Sequence, residues 1–145
     1  MPISDTIKNE FSKEILEIKE HSKVRTYITF EPKDIPKAAR FVFKDLGCRF
    51  VTASGIDTPD CIEILYHFSH DASGEMITLK AKLKDKKNPH IESLAPLMKG
   101  AEWIEREIWE MLGVQFDNHP NLKRLLLDEE LPEDFHPLRH DKEKK

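Results

Sequence analysis

Residues 76–84 alternate so strictly that they leave the chain little choice of local structure. Ile77, Leu79, Ala81 and Leu83 fall on one parity, and Lys80, Lys82 and Lys84 on the other. A period of two sends successive side chains to opposite faces of a strand, so this segment is a strand with one dry and one wet face. Two similar segments precede it. Residues 61–68 put Ile62, Ile64, Tyr66 and Phe68 on one face, and residues 48–56 carry Phe50 and Ile56 on one parity. The turns between them, Asp57–Asp60 and Ser69–Gly74, are short enough for antiparallel hairpins. Such a sheet needs a second layer over its apolar face.

Helical rhythm elsewhere supplies that layer. Ser4 is an N-cap for a helix carrying Ile7, Phe11, Ile15 and Ile18. A strand follows, with Val24, Thr26, Ile28 and Phe30 alternating with Arg25, Tyr27 and Thr29. Asp34 and Pro36 start a second helix whose inward stripe is Ile35, Ala38, Ala39, Val42 and Leu46, ended by a left-handed Gly47. Leu94, Leu97, Ile104, Ile108, Met111 and Leu112 keep a helical period that breaks at Gly100 and stops at Gly113. The expected order is α-β-α-β-β-β-α: an α+β, two-layer domain over residues 1–113, with a mixed or antiparallel four-stranded sheet packed by helices. Residues 114–145 form an extended C-terminal tail. Leu122, Leu125, Leu126, Leu127, Leu131, Phe135 and Leu138 make that tail too apolar to hang free, so it is expected to lie on a partner.

Composition removes most self-contained chemistries. With 23 basic and 27 acidic residues the net charge is −4, which disfavours a nucleic-acid binder. Two cysteines are too few for an iron–sulfur cluster, and the five glycines form neither GxGxxG nor a Walker loop. Cys48 and Cys61 lie at opposite ends of their hairpin, about 20 Å apart at roughly 3.3 Å per residue, and are expected to be free buried thiols. The opening residues carry no leader-like pattern and no apolar run approaches the ~20 residues of a membrane span, so the cytoplasm is the expected location. His21, His67, His70 and His90 have no partner at zinc spacing, and Pro137 disfavours a helix that would bring His136 and His140 together. His119-Pro120 and His136-Pro137 read instead as rigid steps that direct the chain. Lys80, Lys82, Lys84, Lys86 and Lys87 read as a solvated strand face guarding an edge, with an anionic surface or acidic partner as the alternative.

Residues 102–110 concentrate two tryptophans, an arginine and four glutamates. On a helix, Glu102 and Glu110 bracket Arg106 at four-residue spacing, and Trp103 shares a face with Glu107. Spacing alone describes a salt-bridged face. Trp and Arg are also the residues enriched where proteins grip each other, so a protein contact is a better functional reading than acid–base catalysis.

The wording of this region is specific. Ser93-Leu94, then Gly100-Ala101-Glu102-Trp103-Ile104-Glu105-Arg106-Glu107-Ile108-Trp109-Glu110-Met111-Leu112-Gly113-Val114, resembles the central signature of the respiratory-chain NADH dehydrogenase 30 kDa subunit family, which also occurs in complex-I-like membrane-bound hydrogenases. The resemblance continues through Phe116, His119-Pro120, Leu122, Arg124, Leu125 and Leu126 to Pro137-Leu138-Arg139. It is dense over the last third, and rests on element order before that.

The resemblance implies a peripheral, non-catalytic subunit on the cytoplasmic side of a membrane-bound electron-transfer complex. It implies no cofactor in this chain; iron–sulfur clusters and a nickel–iron or quinone site would belong to partner subunits. Those partners would be a nickel–iron-hydrogenase-like large subunit of the complex I 49 kDa type and a cluster-bearing small subunit, with membrane-arm subunits met indirectly and no nucleic acid. The interface residues implied are Trp103, Glu105, Arg106, Glu107, Gly113, His119, Pro120, Leu122, Arg124, Pro137, Leu138 and Arg139. Asn118 and Phe135 stand where the family commonly has glycine before its His-Pro steps, and Leu131–Arg139 is closer to hydrogenase-type members. A membrane-bound nickel–iron hydrogenase is therefore the expected assembly. An NADH:quinone oxidoreductase, a stand-alone adaptor domain and a small enzyme using Glu107 or Glu110 with a histidine are the alternatives.

Overall fold

In the computed structural model, which describes residues 2–123 and 136–139, five strands make one mixed sheet in the order β1-β2-β5-β4-β3. They are β1 (Ile15–Glu20), β2 (Arg25–Phe30), β3 (Arg49–Asp57), β4 (Ile62–His70) and β5 (Glu75–Leu83). The β3–β4–β5 meander is antiparallel, as the alternation predicts, with Tyr66 opposite Leu79 and Phe68 opposite Ile77. β2 joins it in parallel against β5, placing Ile28 opposite Leu79. One face of this sheet is the core, where Ile28, Phe30, Ile64, Tyr66, Phe68 and Leu79 are fully buried.

The sheet has five strands rather than the expected four because the first helix is shorter than its apolar spacing implies. α1 (Ile3–Glu10) ends before Phe11, whose ring wedges edge-on against Phe30 and Phe41 at centroid distances of 5.6 and 5.5 Å. Ile15 and Ile18 lie instead on β1, antiparallel to β2. Ile18 follows Ile15 by three residues, a helical spacing, and the two share a strand face only because the register slips at Leu16; the open edge of β2 decides the outcome by offering a backbone ladder to β-branched residues. Further on, Pro32–Asp34 makes a 3-10 turn into α2 (Ile35–Arg40), which continues as a π turn through Phe41–Asp45. Ile35, Ala38, Ala39 and Val42 are its buried stripe, and Gly47 is left-handed at φ 67°.

Two expectations about individual strands need correction. Phe50 and Ile56 do not share a face: the register slips at Val51, so Phe50 pairs with Phe68 on the core side while Ile56 pairs with Glu63 on the wet side, 46% exposed. A bulge adds one residue to one strand and so inverts the parity beyond it. The lysine-rich strand β5 guards no edge either, because it lies between β2 and β4. Lys80 and Lys82 stand on the wet face of an interior strand, and Lys86 turns in to Asp57, 2.6 Å away.

The remaining elements close the end of the domain. β6 (His90–Glu92) and β7 (Gln115–Asp117) form a two-stranded parallel ladder that flanks α3 (Ala101–Leu112) in the chain. Val114 and Phe116 are buried in the common core. Cys48 and Cys61 are buried free thiols, and burial pushes Cys48 up to about 11.

Candidate partner interface around helix α3

Helix α3 is seated on β3 through a glycine. A Cβ on Gly55 would lie 2.5 Å from Leu112 Cδ1 and 3.1 Å from Ile108 Cγ2, so the helix approaches the strand as closely as a missing side chain permits. Ala101, Glu105, Ile108 and Leu112 form the inward stripe. Its one polar member is fully buried. Glu105 accepts hydrogen bonds from the Ser93 hydroxyl at 2.6 Å, the Leu94 N–H at 2.9 Å and the Tyr66 hydroxyl at 3.4 Å. Burial pushes its carboxyl up to about 7, against the pull of these donors. Burial likewise holds the Tyr66 phenol well above its usual range.

His119 fixes the first turn of the helix. Its Nδ1 accepts the Asn121 N–H at 2.9 Å, so Nε2 carries the proton and donates to the Glu102 carbonyl at 2.9 Å. Asn118, just before it, is left-handed at φ 62°, the conformation that glycine or asparagine tolerates. Arg106 is 4% exposed. Its Nε donates to the Lys123 carbonyl at 2.9 Å, and its guanidinium lies 4.9 Å from the centre of the Trp103 ring. This helix face is therefore covered by later chain and is not a solvated salt-bridged surface.

The other end is capped from far along the sequence. Gly113 is left-handed at φ 78°, and a Cβ there would stand 2.8 Å from His136 Cδ2. His136 Nδ1 donates to the Glu110 carbonyl at 2.9 Å, the Leu138 N–H to Met111 at 2.9 Å, and an Arg139 N–H to Leu112 at 3.1 Å. Three successive carbonyls that a helix end leaves without intrahelical partners are thus satisfied, and a cation sits at the negative end of the helix dipole. Arg139 also donates to the Lys86 carbonyl at 2.7 Å and lies 3.9 Å from Asp57.

The residues named from sequence separate into two groups. Glu105, Arg106 and Arg139 are buried and shape the helix from within. Trp103, Pro120, Pro137 and Leu138 are exposed, Trp103 by 59% and Leu138 by 55%, while Glu107, Gly113, His119 and Leu122 are intermediate. Arg124 lies outside the described residues, as do Leu125–Phe135 and His140. Trp103, Glu107 and Met111, four apart, form the outward stripe. Sequence reasoning missed Asp57, Tyr66 and Lys86, whose roles depend on partners distant in the chain; Gly55 carried the usual signal of an isolated strand glycine.

Among the described residues, no three His, Cys, Asp or Glu side chains are grouped to hold a metal ion, and no helix is long and apolar enough to cross a membrane. A separate cleft of about 620 Å³ beside Pro32 and His90 mixes Lys33, Lys82 and Lys84 with Glu31, Asp85, Glu92 and Asp117, so its charges nearly cancel. It includes none of the signature residues.

The profile of the family described as "Respiratory-chain NADH dehydrogenase, 30 Kd subunit" matches residues 28–145. An NADH-quinone oxidoreductase subunit of Rhodobacter capsulatus is 36% identical over 121 residues, covering 79% of this chain and 58% of the relative. Its namesake in Francisella tularensis subsp. holarctica is 40% identical over 79 residues, covering 54% of this chain and 36% of the relative. The chain thus spans less than two thirds of these relatives. In fold it matches a chain of the membrane-bound sulfane sulfur reductase, an archaeal respiratory membrane complex, with TM-score 0.81 and 19% identity, covering 96% of this chain and 82% of that one. It also matches the trypsin-resistant fragment of Nqo5 with TM-score 0.69 and 17% identity, covering 84% of this chain and 100% of that one.

Proposed function

The chain belongs to the respiratory-chain NADH dehydrogenase 30 kDa subunit family, and from that premise we propose that it is a non-catalytic, peripheral subunit of a complex-I-like membrane-bound electron-transfer complex. Its work is to hold a face against the nickel–iron-hydrogenase-like large subunit and the neighbouring cluster-bearing subunit, on the cytoplasmic side. Clusters and the reacting site belong to those partners, and attachment to the membrane runs through them.

The observation that carries this reading is the build of α3. Glu105, Arg106 and Arg139, all buried, and the enclosed ring of His119 are spent on fixing one helix. Of the residues named from the signature, those left exposed are Trp103, Leu138 and two prolines. A rigid, pre-formed stripe with an exposed tryptophan backed by an arginine has the anatomy of a protein-binding hot spot. The hydrogenase-type reading is supported by the wording of Leu131–Arg139. A second reading, the equivalent subunit of an NADH:quinone oxidoreductase, is favoured by the names of the curated relatives.

Affinity purification of the chain from native membranes tests both. Recovery with a nickel–iron-hydrogenase-like large subunit is expected, and recovery of the chain alone refutes the proposal. Hydrogen evolution by the eluate supports the hydrogenase branch, and NADH oxidation coupled to quinone supports the second reading. Trp103→Ala should leave the fold intact and weaken recovery of the partners by roughly 30-fold, the equivalent of about 2 kcal/mol.

A further inference from the structure

The two edges of the sheet are built very differently. At one end, β1 is six residues long, carries exposed Glu17, Lys19 and Glu20, and slips register at Leu16. Charge, shortness and a bulge are the devices by which edge strands avoid unwanted pairing. At the other end, β3 is nine residues long, and Phe50-Val51-Thr52-Ala53-Ser54-Gly55-Ile56 has no charge in a chain that is 34% charged. Its register with β4 is unbroken from Thr52 to Asp57, so beyond the bulge it offers a regular row of main-chain groups. Among the described residues, the backbone of 50–56 is paired to β4 only. Val51 and Ile56 are 41% and 46% exposed.

We propose that the free edge of β3 receives an extended, uncharged segment of the partner subunit as a sixth strand, added beneath α3. The edge itself specifies main-chain pairing, since unpaired N–H and C=O groups of a terminal strand are satisfied by another strand. The position of α3 specifies the side chains. It packs chiefly on β3, with Leu112 and Ile108 closed down on Gly55, and meets β4 through the Glu105–Tyr66 hydrogen bond. A strand laid beyond β3 lies under the same helix, so its residues on that face are apolar. Its residues on the other face continue the wet row of Thr52, Ser54 and Ile56. α3 packs on this terminal strand, so the edge and the helix share one end of the sheet, and the inference rests on the reading of α3 as a docking face.

Hydrogen exchange of the complex purified from native membranes, against the isolated full chain, tests the pairing. Alternate amides within Thr52–Ile56, those pointing away from β4, should exchange at least about tenfold more slowly in the complex, together with slowing in α3. Slowing in α3 with an unchanged β3 edge overturns the sixth strand while leaving the docking face standing. Slowing at neither overturns both. Protection of the edge already present in the isolated chain, with the mass of a dimer, assigns the edge to a second copy and overturns the partner strand. Val51→Lys with Ile56→Lys places charge on the edge without touching the core. It should leave the melting of the isolated chain unchanged and reduce recovery of the partner at least about tenfold; undiminished recovery overturns the proposal.

Discussion

Glu105 makes the stability of this domain depend on pH in an unusual direction. An exposed glutamate releases its proton near 4.5, whereas burial raises this one to about 7. The folded chain therefore holds the proton more tightly than the unfolded chain does. The stabilisation that follows is complete below about pH 4.5, falls as pH rises, and is lost above about 7. At about 1.36 kcal/mol per unit, the span from 4.5 to about 7 corresponds to roughly 3 kcal/mol. Glu105→Gln keeps the shape and the neutral charge, and its amide can still meet the Leu94 N–H and the Ser93 hydroxyl. Urea unfolding of both full-length chains across that range measures the effect. The two should match within about 0.5 kcal/mol at about pH 4, and the glutamine variant should be more stable by up to about 3 kcal/mol at about pH 8. A difference that does not change with pH, or a glutamine variant weaker at pH 8, refutes the account of Glu105 as a carboxyl held by burial against its donors.

Two further substitutions probe the ends of α3. Gly113→Ala forces a side chain into left-handed backbone and toward the His136 ring, and should cost about 2 kcal/mol in denaturant unfolding; a neutral result contradicts the close approach of His136. Arg139→Ala removes donors from the Leu112 and Lys86 carbonyls and a cation from beside Asp57, for a loss of about 2–4 kcal/mol. Amide exchange in the last turn of α3 should quicken more than in β4, and equal quickening in both contradicts a local cap.

What could be read from the sequence was whatever a local period decides. β2, β4, β5 and α2 follow from alternation or a helical stripe, and Gly113 and Asn118 occupy left-handed positions of the kind glycine and asparagine tolerate. β1 was hidden because Ile15 and Ile18 keep a helical spacing, and only the bulge at Leu16 and the edge of β2 make them strand residues on one face. The parity of β3 was hidden because a one-residue bulge leaves no mark in composition. At the candidate site, the family wording located α3, but the exposure of its charges was not legible. Glu105, Arg106 and Arg139 read as surface residues by type, yet their covers come from Ser93, Lys123 and Lys86, none of them neighbours in the chain. Burial of this kind is decided by the whole fold, beyond the reach of any window of sequence.

The parallel pairing of β2 with β5 sets how such a sheet can come together. β1 and β2 meet across a short turn, and so do β3, β4 and β5, so each half is a local structure that closes quickly. The seam between the halves joins Arg25 to Met76 and Phe30 to Ala81, about fifty residues apart. Closing a loop of that length costs on the order of 3 kcal/mol before any contact compensates. Until the seam forms, β5 carries a naked edge, and with it the apolar row of Ile77, Leu79 and Ala81. Docking of the two halves is then the expected slow step in folding, and the interval before it is when the chain is most open to mispairing.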